Sequence, residues 1–246
     1  MYQSVFISDL HLGSKHCQAE PLLEFLKKVR CKNLYLVGDI IDGWRLQKKW
    51  YWPKAHTDVL RQIVRMANKG VNVYYISGNH DEFLRTIFKK KAEFGNIMLC
   101  HRLDYQALNG KRLLVIHGDL FDYLMRSKFG RTIMSLGDFA YDTLAYLSWV
   151  IGHTRRFFGL KPWSLTKYLK HRAKAASSFV GSYEKEMSSY CQRKGYDGII
   201  CGHIHTPEIR DIDGVLYMND GDFVENCSAL VETLEGEFKI VYNLPK

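Results

Sequence analysis

The chain has 246 residues, 46% of them hydrophobic and 25% charged, and its formal net charge is +9. This composition excludes a disordered chain and predicts one large or two small globular domains. Six cysteines without a C-x-x-C pair disfavour a disulfide scaffold and favour a reducing cytoplasm. No signal segment is expected at the start of the chain, and the apolar stretch at 144–151 is far shorter than the ~20 residues of a membrane span.

Apolar runs and helical periodicity alternate along the chain, which is the pattern of an α/β protein. In chain order they predict a strand at 5–7, a helix at 18–30, a strand at 34–37, a helix at 55–69, a strand at 71–76, a hairpin at 103–116, mostly helix at 121–194, a strand at 198–201 and a β-rich end at 208–243. We therefore expect a single α/β domain over residues 1–246, with a helical insertion at 121–194.

The positive charge is concentrated in the predicted insertion. Residues 143–183 contain seven basic residues and no Asp or Glu, and aromatic residues are interleaved with the basic ones. Such a segment attracts anions and suits contact with a lipid surface, although a merely solvated basic face is the alternative interpretation. The sequence has no recognisable nucleic-acid-binding motif, so nucleic acid is not expected as a partner.

Five of the predicted strands end at Asp, Asn or His residues, each with a glycine close by. These polar residues are, in chain order, Asp9, His11, Asp39, Asp42, Asn79, His80, His117, His203 and His205. Because loops at the carboxyl ends of strands form the binding crevice of an open α/β sheet, we expect these side chains to converge. Oxygen and imidazole donors without thiolate suit Mn, Fe or Zn. The sequence therefore predicts a metal site.

Two of these histidines, His203 and His205, lie one residue apart directly after a predicted strand. In an extended chain, alternation would place both imidazoles on the same side. Alone, an H-x-H pair indicates solvated histidines more often than metal ligands. The four other strand ends favour ligation, and we expect both histidines to offer nitrogen ligands to one site.

The ordered motifs D-x-H, G-D-x-x-D, G-N-H-D, H-G-D and G-H-x-H resemble those of the calcineurin-like metallophosphoesterase superfamily. The resemblance runs from Asp9 to about Gly221 and implies a sandwich of two β-sheets flanked by helices. It also implies two divalent metal ions, for which manganese is expected and Fe or Zn are alternatives. By the same resemblance, one ion is held by Asp9, His11, Asp39 and His205, and the other by Asp39, Asn79, His117 and His203.

The chemistry implied by this resemblance is hydrolysis at phosphorus. Two ions that share the Asp39 carboxylate could hold a hydroxide between them and clamp the attacking and leaving oxygens. The resemblance gives His80 the role of stabilising the phosphoryl oxygens or protonating the leaving group, with Asp42 holding its tautomer; a packed loop histidine is the alternative. Arg45 could reach a phosphate, with an exposed surface arginine as the alternative.

Within the superfamily, the compact size and the basic, aromatic insertion look like the UDP-2,3-diacylglucosamine pyrophosphohydrolase branch of lipid A synthesis. In that branch the insertion receives acyl chains, and hydrolysis releases UMP and a lipid monophosphate. These features predict a cytoplasmic enzyme associated peripherally with the inner face of the membrane. One residue departs from the branch, which carries arginine where this chain has His80. The departure leaves open a related lipid-linked nucleotide as the substrate.

Two other functions are compatible with the sequence. A soluble-substrate phosphodiesterase or phosphatase would use the same metals on a nucleotide or a phosphoprotein, and liposome flotation separates it from a lipid-acting enzyme. A non-catalytic membrane-binding scaffold would usually have lost a ligand or the helper histidine, whereas here every expected position is filled.

Overall fold

The computed structural model describes residues 1–87, 91–121 and 178–242. The helices in these ranges are α1 (Ala19–Lys28), α2 (Gly43–Lys48), α3 (Lys54–Asn68), α4 (Phe83–Ile87) and α5 (Ser178–Lys194). The strands are β1 (Tyr2–Ile7), β2 (Cys31–Val37), β3 (Asn72–Ile76), β4 (Lys91–Phe94), β5 (Ile97–Cys100), β6 (Leu103–Gln106), β7 (Arg112–Val115), β8 (Gly198–Cys201), β9 (Glu208–Ile212), β10 (Val215–Asn219), β11 (Ser228–Glu232) and β12 (Phe238–Tyr242).

The strands form two mixed sheets. The first has seven strands in the order β12-β11-β1-β2-β3-β5-β4, and the second has five in the order β6-β7-β8-β10-β9. Strands β1, β2, β3 and β5 run parallel in the first sheet, and β7, β8 and β10 run parallel in the second. The predicted α/β class, two sheets with flanking helices, is confirmed.

Alternation along β1 decides which layer each side chain enters. Val5 and Ile7 lie in an apolar cluster with residues of α1 and α3, whereas Phe6 lies in a second cluster with residues of β7, β8 and β10. Successive side chains of a strand point to opposite faces, so one face of the first sheet packs on helices and the other on the second sheet. The Phe6 ring stacks on Tyr35 with centroids 4.6 Å apart.

The predicted helices at 18–30 and 55–69 are confirmed as α1 and α3, and the predicted hairpin is confirmed as β6 and β7. The sequence patterns missed α2 and the β4–β5 hairpin. Most of the predicted insertion, residues 122–177, lies outside the described residues, and the part that is described ends in α5.

The elements up to Asp119 and from Met187 onward form one compact unit. Leu120–Glu186 is assigned to a second unit, in which the rings of Phe121 and Tyr183 meet edge to face at 6.4 Å. Among the described helices, none combines the length and the hydropathy that spanning a bilayer requires.

A buried carboxylate ties the two sheets together at Glu232 on β11. It is fully buried, its Oε2 accepts a hydrogen bond from the Tyr105 hydroxyl on β6, and its Oε1 accepts one from Leu108 N at 2.8 Å. The Tyr105 hydroxyl also lies 2.8 Å from Ser4 Oγ. Burial and the neighbouring carboxylate raise the pKa of Tyr105 above its ordinary range, so the phenol stays a hydrogen-bond donor.

We expect Glu232→Ala to lower the free energy of unfolding by about 2 to 4 kcal/mol, because it leaves buried donors on two segments without their acceptor. Denaturant titration followed by circular dichroism measures this loss. Glu232→Gln is the matched control, since its amide oxygen keeps one acceptor in place. Equal stability of the alanine variant and the wild type would show that the carboxylate does not hold the sheets.

Candidate metal centre

The site lies where the carboxyl ends of β1, β2 and β3 of the first sheet and β7 and β8 of the second sheet meet. Backbone hydrogen bonds join the loops that follow these strands. Asp9 N donates to Gly38 O at 3.0 Å, His11 N to Asp39 O at 2.9 Å and Gly202 N to His117 O at 3.1 Å. Parallel neighbours bring their ends to one edge, so the convergence predicted for the five strand ends is observed.

Five site residues have a left-handed backbone, which is rare for residues other than glycine. They are Asp9, His11, Asp39, His203 and His205, with φ between 49° and 67°, out of seven non-glycine residues with positive φ in the described chain. Strained backbone of this kind clusters at functional sites. It also corrects one step of the sequence reasoning, since His203 and His205 lie in a turn and not in an extended segment.

One half of the site is built around Asp9, His11 and His205. The Asp9 Oδ1 atom lies 3.1 Å from His205 Nε2 and 3.7 Å from His11 Nε2. The second carboxylate oxygen, Asp9 Oδ2, accepts hydrogen bonds from Ser8 Oγ at 2.6 Å and from His203 N at 2.9 Å. The three side chains can offer ligand atoms that all lie within 4.8 Å of one another, which is the spacing of a metal site.

The other half is built around His117. Its Nδ1 lies 2.9 Å from Val37 O, a hydrogen bond that places the proton on Nδ1 and leaves the Nε2 lone pair directed away from it. His117 Nε2 lies 3.3 Å from Asp39 Oδ2, and the His203 ring lies edge to face with the His117 ring at 5.1 Å. Asp39 Oδ2 is also 3.8 Å from His11 Nε2, so this oxygen faces both halves.

Four buried atoms of the predicted ligands have no hydrogen-bond partner among the described residues. They are Asp9 Oδ1, Asn79 Oδ1, His117 Nε2 and His205 Nδ1. An unsatisfied buried polar atom costs about 1 to 3 kcal/mol, so four in one site call for a ligand. All four belong to residue types that bind divalent transition-metal ions, so the residues present fit such a cation.

The carboxylate of Asp39 is ionised at neutral pH although it is buried. Burial alone disfavours its charged form, but the charges of His117, His11 and His80 outweigh that effect and hold the pKa of Asp39 well below its ordinary value. Asp39 in turn outweighs the opposing effect of burial and raises the pKa of His117 well above its ordinary value. A cation that binds His117 Nε2 would displace the proton from that nitrogen. The pocket thus combines negative oxygens with imidazoles, which are the donors that a cation requires.

Asp42 contacts two imidazoles, of which the sequence predicted one. Its Oδ1 lies 2.9 Å from His80 Nδ1, and its Oδ2 lies 3.2 Å from His11 Nδ1. The same carboxylate caps α2 by accepting a hydrogen bond from Arg45 N at 3.0 Å. Asp42 therefore fixes the orientation of a predicted metal ligand and of the predicted helper histidine together.

Comparison with known proteins agrees with this geometry. The sequence model of the family described as Calcineurin-like phosphoesterase matches residues 3–207. The chain belongs to that family. The predicted assignment to a family of metal-dependent hydrolases is thereby confirmed.

Several relatives of this calcineurin-like phosphoesterase have the same name. A protein of Neisseria meningitidis serogroup C, named UDP-2,3-diacylglucosamine hydrolase, is 27% identical over 100% of both chains. A Porphyromonas gingivalis protein of the same name is 32% identical over 46% of this chain and 45% of its own length, so that alignment spans about half of each protein. A solved phosphoesterase from E. coli superposes with a TM-score of 0.47 and 14% identity, covering 98% of this chain and 99% of the other.

The remaining predicted site residues of the phosphoesterase, His80 and Arg45, lie beside Asp42. The His80 side chain is 24% exposed, against 0% for His117, and its Nε2 is 4.0 Å from Asp39 Oδ2. The Trp44 ring lies against the His80 ring with centroids 4.2 Å apart. Arg45 Nε is 3.3 Å from Asp42 Oδ2. A substrate oxygen can therefore reach His80 more readily than it can reach His117.

Side chains outside the predicted ligand set position the loops, and sequence reasoning missed Ser8 and Asp220 among them. Asp81 accepts hydrogen bonds from Ile40 N at 3.0 Å and from the Tyr75 hydroxyl at 2.7 Å, and it also accepts one from Gly78 N. On the other side, Ser8 Oγ donates to Asp220 Oδ1 at 2.6 Å. A signal for Asp220 was present, because β10 also ends in an Asn-Asp-Gly segment like the five strand ends that were recognised.

Gly202 provides a test of how tightly these loops pack. A Cβ at this position would lie 2.5 Å from Asp9 Oδ2 and closer still to Ser8 Oγ. We expect Gly202→Ala to displace Asp9 and to lower metal content and phosphodiester turnover by about 10- to 100-fold. Gly70→Ala is the comparison variant: its φ of 89° strains the backbone, but nothing lies near the added Cβ, so metal content and turnover should stay at the wild-type level. Full metal loading of Gly202→Ala would contradict the packing described for Asp9.

Proposed function

We propose that this phosphoesterase binds two divalent cations, manganese in the first instance, at the centre described above. One ion is held by Asp9, His11, Asp39 and His205, and the other by Asp39, Asn79, His117 and His203. The observation that carries the proposal is a set of buried atoms that have no hydrogen-bond partner among the described residues, namely Asp9 Oδ1, Asn79 Oδ1, His117 Nε2 and His205 Nδ1. The two pairs of histidine rings, one pair on each side of Asp39 Oδ2, support the division into two ion sites.

The proposed reaction is hydrolysis of a phosphoester by water. When bound, the two cations would lower the pKa of water and stabilise charge on the phosphoryl oxygens. The chain contributes the rest: Asp42 holds the His80 ring through its Nδ1 at 2.9 Å, and His80 Nε2 is then placed to donate a hydrogen bond or a proton to an oxygen of the phosphoester. Arg45, held beside Asp42, adds positive charge at the same side of the site.

The proposed substrate is UDP-2,3-diacylglucosamine or a related lipid-linked nucleotide, cleaved at the pyrophosphate to UMP and a lipid monophosphate. Support comes from relatives of that name, including one that aligns over its whole length. The basic and aromatic composition of residues 121–194 suits a segment that receives acyl chains, and it favours a cytoplasmic enzyme bound peripherally to a membrane.

His80 favours a second candidate substrate class. Because the lipid A enzyme is expected to carry arginine at this position, a soluble nucleotide or phosphoprotein substrate is the alternative for this chain. The metal centre would be the same, and only the leaving group and the role of the insertion would differ.

Measuring which substrate the protein hydrolyses distinguishes the lipid-linked from the soluble substrate class. Purified protein with manganese and detergent is given UDP-2,3-diacylglucosamine, and the products are read by mass spectrometry. Metal-dependent release of UMP and the lipid monophosphate, abolished in Asp39→Asn, is the expected result. Cleavage of bis(p-nitrophenyl) phosphate without any cleavage of the lipid nucleotide would reject the lipid substrate and retain the phosphoesterase.

A further inference from the structure

A second basic and aromatic surface lies beside the metal centre, outside the predicted insertion. We call residues 44–54 together with Lys15 the rim. From Gly43 to Thr57 the sequence has no Asp or Glu, and the rim contains three tryptophans and one tyrosine. Its exposed side chains are Lys15, Gln47, Lys48, Lys49, Trp50 and Lys54.

Trp50 is the exposed apolar point of the rim, with 73% of its surface accessible. A single exposed apolar side chain is common and requires no explanation by itself. Trp50 differs because it follows Lys48 and Lys49 directly and because a third lysine, Lys15, lies over the neighbouring Tyr51 ring at 5.8 Å. The rim therefore presents an exposed indole next in sequence to two exposed lysines, with a third lysine on the neighbouring Tyr51 ring.

A series of side-chain contacts connects the exposed Trp50 indole to a loop of the metal centre. The rings of Trp50 and Trp52 lie 6.2 Å apart, and Trp52 Nε1 donates to Thr57 Oγ1 at 3.0 Å. The Trp52 ring also meets the buried His56 ring edge to face at 5.5 Å. His56 Nδ1 in turn accepts a hydrogen bond from Gly13 N at 2.9 Å, two residues after His11. The rim is thus joined by direct contacts to a loop of the metal centre.

An exposed tryptophan next to exposed lysines is the combination of side chains that anchors a protein at a lipid headgroup layer. The indole has an apolar body and one polar N–H, so it settles at the level of the headgroups, and lysines are attracted to anionic lipid. Single-stranded nucleic acid also binds basic, aromatic surfaces, but it requires a row of open ring faces on which successive bases stack. Among the aromatic side chains of the rim only Trp50 is exposed, while Trp44, Tyr51 and Trp52 are half-buried.

We propose that Lys48, Lys49 and Trp50 dock this protein on the headgroup layer of an anionic lipid bilayer, with the rim of the metal centre facing the membrane. The inference deepens the proposed function, on which it rests for the idea that a lipid-linked substrate is taken from a bilayer. Its test measures vesicle binding and not turnover, so the two proposals can fail separately.

The test is co-sedimentation of the full chain with vesicles of phosphatidylglycerol and phosphatidylcholine, compared with phosphatidylcholine alone. We expect the wild type to bind the anionic vesicles. Trp50→Ala should bind about tenfold more weakly, because it lacks the indole that the headgroup layer would bury. We expect a loss of about fivefold for each of Lys48→Ala and Lys49→Ala, which corresponds to the ~1 kcal/mol that each basic residue gains near an anionic surface.

Matched controls are Phe94→Ala, which removes an aromatic ring that is 77% exposed on β4, and Lys69→Ala with Lys111→Ala, which remove exposed lysines elsewhere. All rim variants should hydrolyse soluble bis(p-nitrophenyl) phosphate at the wild-type rate. Rim variants that bind anionic vesicles as well as the wild type does would overturn the proposal. So would rim variants that lose binding to poly-uridylate while vesicle binding is unchanged.

Discussion

Asp39→Asn is expected to lower phosphodiester turnover by more than about 100-fold and to reduce the bound metal by at least one ion. Loss of a residue that merely orients a metal ligand typically costs 10- to 100-fold, and Asp39 is proposed as a ligand of both ions. Its Oδ2 lies 3.3 Å from His117 Nε2 and 3.8 Å from His11 Nε2, while its Oδ1 accepts a hydrogen bond from His80 N at 2.8 Å.

An asparagine at position 39 keeps the size and shape of the side chain but loses the negative charge. In one orientation the amide NH₂ takes the place of Oδ2, which faces the two halves of the site. In the other it takes the place of Oδ1, which accepts the hydrogen bond from His80 N. Asp213→Asn is the matched control, because Asp213 has the same φ of 53° and lies in an exposed turn. Wild-type metal content and turnover in Asp39→Asn would contradict the bridging role.

His80→Ala is expected to lower kcat by about 10²- to 10⁴-fold, the usual contribution of a general acid or base, while leaving both metal ions in place. The physical reason is that the His80 ring is held by Asp42 at 2.9 Å and backed by Trp44, yet part of it stays accessible. Steady-state kinetics together with metal analysis of the same sample separates this effect from loss of metal.

The leaving group distinguishes the two roles open to His80. If it protonates the leaving oxygen, His80→Ala should impair a poor leaving group far more than p-nitrophenolate; if it only stabilises the phosphoryl oxygens, both substrates should lose equally. His101→Ala serves as the control, since that ring lies at 3.0 Å from Ser77 Oγ outside the cluster. A kcat within threefold of wild type for both substrates would contradict either role.

The site could be located from sequence because its signal is local. Each ligand-bearing segment follows a short apolar strand directly, and the parallel order of β1, β2 and β3 then brings the segments together. The second partner of Asp42 was harder to foresee. His11 is 31 residues away, and its contact with Asp42 depends on how the loops curve after β1 and β2.

The elements that were missed have weak or short patterns. Helix α2 has six residues, too few to show a helical period, and its start depends on the Asp42 cap. Strand β4 is largely exposed and contains Lys and Glu, so it lacks the alternation that marks a half-buried strand. The left-handed backbone at Asp9 and His11 arises from the geometry of the site. Asp and His adopt this region more often than most residues other than glycine, but too rarely for their presence to predict it.

The central claim is that these side chains hold two metal ions, and metal counting tests it most directly. Purified protein is loaded with manganese, freed of excess metal by gel filtration, and analysed for metal per chain by mass spectrometry. We predict two equivalents in the wild type and fewer than two in Asp39→Asn. A wild-type chain that retains one equivalent or none after saturation would contradict the two-ion account.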